Sequence, residues 1–177
     1  MSYLKFARRG AAVLAILLGV SCIQEGPVTP PPHVPSAELV SEALRTLEGT
    51  LMRCTPMDEL RVEQVVGRSG GTITFGPHRL VIPAGALREP TRIRAEIRSE
   101  NVNSVRLSPE GLRFRTPARL TLSYANCDLL GGLLNEKQIA YTSESLKIYW
   151  YLPSVDNVLE RSVSTDLDHF SRYAVSW

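Results

Sequence analysis

Histidine and cysteine are scarce in this sequence, with three of each among 177 residues. The histidines His33, His78 and His169 are far apart and show no metal-ligand spacing, and three cysteines are too few for a structural zinc site without their help. A nucleophile elbow of the G-x-S-x-G type is also absent from the sequence. We therefore expect no metal, no other cofactor and no enzymatic activity.

A surplus of charge of one sign is missing too, because the formal net charge is only +2. That surplus comes from the first 21 residues, which contain Lys5, Arg8 and Arg9 and no acid. The rest of the chain has 17 basic and 18 acidic residues, a net charge of about −1. A near-neutral chain gives no electrostatic reason to expect nucleic acid as a partner.

The apolar run at residues 11–20 is only ten residues long, whereas a membrane-spanning helix needs about 20. Basic residues precede the run and the small-residue sequence Gly19-Val20-Ser21-Cys22 follows it, an order that predicts a signal peptide over residues 1–21. These four residues resemble the bacterial lipobox. The resemblance implies that the Cys22 thiol carries a diacylglycerol and that Cys22 becomes the new amino terminus.

A secretory signal without lipid and an uncleaved anchor are the alternatives for the same segment. If the lipid is present, the membrane is a partner through Cys22. An Asp directly after the lipid-bearing Cys would suggest retention at the inner membrane. Ile23 occupies that position, so we expect an outer-membrane lipoprotein. In such an oxidising compartment, the remaining Cys54 and Cys127 predict one disulfide, with two free buried thiols as the alternative.

Three segments of different composition follow the predicted signal peptide. Residues 22–35 contain five prolines and predict a lipid-anchored tether. Residues 36–60 are expected to form a short helix and a lead-in, because the apolar residues of 36–48 fall on one helical stripe. Residues 61–177 change to period two and predict an all-β domain, an antiparallel β-sandwich.

The alternation is regular enough to assign faces to individual strands. In residues 91–98 the apolar Ile93, Ala95 and Ile97 alternate with charged residues. In residues 146–152 the same pattern predicts that Leu146, Ile148, Trp150 and Leu152 are buried and that Tyr149 and Tyr151 share the outward face.

Several ordered segments of this domain resemble the ZU-5 domain family. They are GGTITF at residues 70–75, LVIPAGAL at 80–87, LSPEGL at 107–112, PARLTLSY at 117–124 and HFSRYAV at 169–175. The resemblance covers roughly residues 67–177. It implies a β-sandwich used for protein–protein contact, and it names no partner.

His169-Phe170-Ser171 is the sharpest candidate for chemistry. Some ZU-5 relatives cleave themselves between Phe and Ser in this tripeptide, which implies Ser171 as nucleophile and His169 as base at the Phe170–Ser171 bond. The alternative is a polar turn that leads into the last strand, with Phe170 buried.

The paired tyrosines Tyr149 and Tyr151 are the candidates for binding. Exposed tyrosines on one strand stack on sugars or anchor a protein partner, although such residues are often cross-strand surface pairs. The leading hypothesis is an exported, membrane-tethered, non-enzymatic protein-interaction module of the cell envelope. Its alternatives are a self-cleaving domain and a module that binds carbohydrate or another envelope polymer.

Overall fold

Two antiparallel sheets account for all the regular structure of residues 50–129 and 135–177, which the computed structural model describes. The strands in chain order are β1 (Leu60–Val66), β2 (Gly71–Phe75), β3 (His78–Ile82), β4 (Thr91–Ile97), β5 (Ser104–Ser108), β6 (Arg113–Ser123), β7 (Gln138–Thr142), β8 (Ile148–Leu152), β9 (Ser154–Asn157), β10 (Ser162–His169) and β11 (Arg172–Ser176). One sheet has the order β1-β4-β5-β11-β7-β8 and the other β2-β3-β6-β10-β9. The prediction of an all-β antiparallel sandwich is confirmed.

Alternating polarity builds the two inner faces. In β4, Ile93, Ala95 and Ile97 are buried while Arg92 is exposed and Arg94 and Glu96 are partly exposed. Each fully buried side chain of the size of Ile or Leu contributes about 1.5–3 kcal/mol relative to an exposed one. The core therefore follows directly from the period-two pattern, with every second residue of β3, β4 and the second half of β6 facing inward.

The chain joins the sandwich before its first named strand. The Met52 amide donates to the Val175 carbonyl at 3.0 Å, and the Trp177 amide donates to the Thr50 carbonyl at 3.1 Å. Met52 is fully buried, so residues 50–54 continue the packing beside the end of β11. The β-sandwich thus includes residues that the sequence pattern assigned to a lead-in before residue 61.

A disulfide between Cys54 and Cys127 ties this entry segment to the loop after β6. The backbones of the two cysteines also pair as an isolated antiparallel β-bridge. The predicted pairing is confirmed. The segments expected at residues 1–21, 22–35 and 36–48, including the lipid-bearing Cys22, lie outside the described residues.

The chain crosses from one sheet to the other through two very short connections. Only Pro153 separates β8, at one edge of the six-stranded sheet, from β9, at one edge of the five-stranded sheet. Phe170 and Ser171 alone connect β10 in the five-stranded sheet to β11 inside the six-stranded sheet. Both candidate regions of the sequence therefore lie where the chain crosses between sheets. Of the residues that the structure describes, none forms a helix long and apolar enough to cross a membrane.

Candidate functional site

Edge strand β8 presents three consecutive aromatic side chains to solvent. Tyr149, Trp150 and Tyr151 are 53%, 51% and 38% exposed. The prediction that Trp150 is buried is wrong, because β8 is the last strand of its sheet and no further strand among the described residues flanks the ring. Leu146 was expected in the same strand, but it lies in the turn before β8 with a φ of 64°.

A β-bulge in β8 decides which of these rings lie together. Trp150 is paired with Tyr141 of β7 and Ile148 with Thr142, so Tyr149 is the extra residue of the bulge. The Tyr141 ring lies 5.0 Å from the Tyr149 ring and 4.5 Å from the Trp150 ring, measured between centroids. We call Tyr141, Tyr149 and Trp150 the aromatic platform.

Tyr151 does not belong to the aromatic platform. It pairs with Ala140, the neighbour of Tyr141, and side chains alternate between faces along a strand. The expectation that Tyr149 and Tyr151 share a face is therefore wrong, since the bulge shifts Tyr149 by one position. Sequence reasoning missed Trp150 and Tyr141 as members of the site. The available signal was the unbroken run of three aromatic residues, which departs from the alternation of apolar and polar residues in a strand with one covered face.

His169, the last residue of β10, borders the aromatic platform. Its ring lies 5.6 Å from the Tyr141 ring and 6.4 Å from the Tyr173 ring. The Tyr173 hydroxyl donates to the His169 carbonyl at 2.7 Å. Burial raises the pKa of Tyr173 far above its ordinary value, so this hydroxyl remains a donor at any physiological pH.

The Phe170–Ser171 link is held by backbone hydrogen bonds on both sides. The Phe170 amide donates to the Leu112 carbonyl and the Phe170 carbonyl accepts from the Gly111 amide, each at 2.9 Å. Phe170 is fully buried, and its ring lies edge-on to that of Phe114 at 5.0 Å. Ser171 is 5% exposed. The ring contacts of His169, the expected base, are with tyrosines of the six-stranded sheet.

His78, at the start of β3, is buried at the end of the sandwich opposite to His169. Its Nδ1 accepts a hydrogen bond from the Ser123 amide at 3.1 Å, while its Nε2 has no hydrogen-bond partner among the described residues. Because burial disfavours the charged imidazolium, the pKa of His78 falls from 6.5 to about 4. His78 is therefore neutral at physiological pH and acts as a structural acceptor.

No group of three or more His, Cys, Asp or Glu side chains within residues 50–129 and 135–177 is arranged to hold a metal ion. Comparison with known proteins gives no further guide to the site, since no protein-family model and no curated protein matches this chain. The resemblance to the ZU-5 family thus depends on the motif residues alone.

Proposed function

We propose that this protein is an exported, lipid-tethered interaction module of the cell envelope, with a ZU-5-like β-sandwich that binds its partner at the aromatic platform. The observation that carries the proposal is the exposure of Tyr149 and Trp150 beside Tyr141 on an edge strand. Large aromatic side chains left in solvent at one place are typical of binding surfaces, where they supply much of the binding energy.

The bulge in β8 supports binding through side chains. Bulges at sheet edges interrupt ladder pairing and re-aim a side chain. Here the bulge places both Tyr149 and Trp150 next to Tyr141. It also makes the edge of β8 irregular, and another strand would pair less well with an irregular edge. A partner that contacts ring faces fits this geometry better than a partner that extends the sheet.

The tether gives the domain reach above the membrane. From Cys22 to the first described residue, Thr50, there are 28 residues. A fully extended chain of that length spans at most about 100 Å. The domain is thereby able to contact either membrane-proximal proteins or a polymer layer of the envelope.

Two measurements test this proposal separately. Metabolic labelling with an alkyne fatty acid is expected to label the wild-type protein and not Cys22→Ser. A photo-cross-linking amino acid at Trp150 is expected to capture an envelope component in cells. The matched control places it at Val65, which is 57% exposed on β1, the other edge strand of the same sheet. Absence of label, or equal capture at both positions, contradicts the corresponding half of the proposal.

Self-cleavage at the Phe170–Ser171 bond is the second candidate function. It is favoured by the Gly111 amide, which donates to the Phe170 carbonyl at 2.9 Å, where negative charge would develop when the Ser171 hydroxyl attacks. The denaturing intact mass of the purified protein tests it. Loss of the seven residues from Ser171 to Trp177, abolished by Ser171→Ala, would establish cleavage; an intact carboxyl terminus in the wild type excludes it.

A further inference from the structure

We propose that the aromatic platform, together with Arg113 and Arg115, binds an acidic polysaccharide. This inference rests on the proposed function, because it names the class of partner for the same site. Sugar rings would stack on Tyr149 and Trp150, and carboxylates of the polymer would pair with the two guanidinium groups.

The rings of the platform lie close enough together to contact neighbouring sugars of one chain. Tyr149 and Trp150 each contact Tyr141, so their centroids lie no more than 9.5 Å apart, the sum of the two measured distances. Both rings are about half exposed while their other half rests on protein. An aromatic side chain fixed in this way offers an apolar face with a polar tip, which suits the C–H faces and hydroxyl groups of a sugar.

Two exposed arginines lie on the strand that pairs with His169 beside the platform. Arg113 is directly opposite His169 in the β6–β10 ladder, and such opposite residues have Cβ atoms about 5 Å apart. Arg115 follows two positions along β6, where the pairing with β10 is irregular, and both arginines are exposed. Phe114, between them, turns inward onto Phe170.

The charge balance at this end favours an anion. None of the ion pairs among the described residues includes Arg113 or Arg115, whereas Arg61 and Arg94 on the other sheet pair with Glu96 and Glu63 at 2.7 and 2.6 Å. Glu110, three residues before Arg113, pairs with Arg106 at 3.7 Å. Asp168 is exposed beside His169, and counting it against the two arginines leaves a surplus of one positive charge. Asp168 is also an acceptor for sugar hydroxyls.

The shape of the site favours a polysaccharide over a folded protein. A specific protein interface buries about 800 Å² on each partner around a central anchor in a pocket. The platform instead occupies one edge strand and its neighbour, where the Tyr149 and Trp150 rings are about half exposed. A linear polymer is able to run from the rings on β8, past His169, to the arginines on β6 of the other sheet.

The test uses the full chain in mild detergent with two polyuronates, polygalacturonate and alginate, and with methyl-esterified polygalacturonate as the matched uncharged polymer. Affinity electrophoresis is expected to show binding to at least one polyuronate and much weaker binding to the ester. Trp150→Ala is expected to weaken binding on the order of ten-fold, by analogy with the loss of one base-stacking ring from a site for single-stranded nucleic acid. Arg113→Gln with Arg115→Gln is expected to weaken binding and to flatten its dependence on salt.

Matched variants keep the result interpretable. Val65→Ala removes exposed apolar surface from the opposite edge strand and is expected to leave binding unchanged. Unchanged urea midpoints show that each variant is folded. Binding to neither polyuronate, or equal binding by wild type and Trp150→Ala, overturns the polysaccharide site. If fatty-acid labelling and cross-linking at Trp150 to a protein succeed in that case, the envelope module stands and only the polysaccharide is rejected.

Discussion

His78 makes the stability of this fold dependent on pH in a range where few other groups titrate. The side chain is 1% exposed, and burial lowers its pKa from 6.5 to about 4. The unfolded chain therefore takes up a proton near pH 6.5 that the folded chain resists until about pH 4. Stability is fully present above pH 6.5 and is lost progressively as the pH falls toward 4.

The magnitude follows from the size of the shift. A depression from 6.5 to about 4 corresponds to about 3 kcal/mol, which is lost in full once both states are protonated. Near pH 5.5 most unfolded molecules carry the proton and almost no folded ones do. The slope there is about 1.2 kcal/mol per pH unit, or about a tenth to a quarter of the stability of an ordinary domain for each pH unit.

Urea unfolding followed by circular dichroism between pH 7.5 and 5.0 measures this slope. The perturbation is His78→Asn, which removes the titrating group and keeps an oxygen that accepts the Ser123 amide. We expect a steep slope in the wild type and a shallow one in the variant. His169→Asn is the matched control and keeps the wild-type slope, because His78 is still present. Equal slopes for wild type and His78→Asn would refute the reasoning.

Three further predictions concern stability. Cys54→Ser with Cys127→Ser is expected to cost about 4 kcal/mol, the chain-entropy value for a bridge between residues separated by 73 positions, measured by urea unfolding. Arg172→Ala is expected to lower the free energy of unfolding by about 3 kcal/mol. Arg172 is 3% exposed and its guanidinium donates to the Glu100 carboxylate, so the variant leaves that carboxylate without its cation. Gly70→Ala is expected to lower the melting temperature, since a Cβ at Gly70 would lie 2.2 Å from the Ile82 carbonyl oxygen.

Each of these variants has its own comparison. Dithiothreitol is expected to destabilise the wild type and not the double serine variant. Arg119→Ala breaks the exposed pair with Asp166 and is expected to cost under about 1 kcal/mol; a loss equal to that of Arg172→Ala would contradict the role of burial. Gly85→Ala has a similar positive φ of 80° but meets no atom within 4 Å, so a loss as large as at Gly70 would exclude the steric explanation.

The strands with one covered face could be predicted from the sequence because burial imposes period two on them. Ile93, Ala95 and Ile97 alternate with charged residues in the sequence, and they are buried in β4. The disulfide was predictable for a different reason, since Cys54 and Cys127 were the two cysteines left for pairing once Cys22 had been assigned to lipid. In both cases a local or compositional rule was sufficient.

The candidate site was predictable only in part. The aromatic run at residues 149–151 is visible in the sequence, and its exposure follows once β8 is known to be an edge strand. The sequence does not encode strand order locally, so Trp150 was expected to be buried. The sequence does not encode the bulge locally either. One extra residue in β8 reverses the face of every residue before it.

What the sequence by itself determined is the all-β class, the alternation of the inner strands and the single disulfide, because each depends on residue type and spacing along the chain. Only the tertiary structure decided that Tyr149 and Trp150 share Tyr141, that His169 and Arg113 border them, and that His78 is buried away from them. Those neighbours come from strands far apart in sequence. Their proximity depends on sheet order, register and the bulge, which are settled by packing of the whole sandwich.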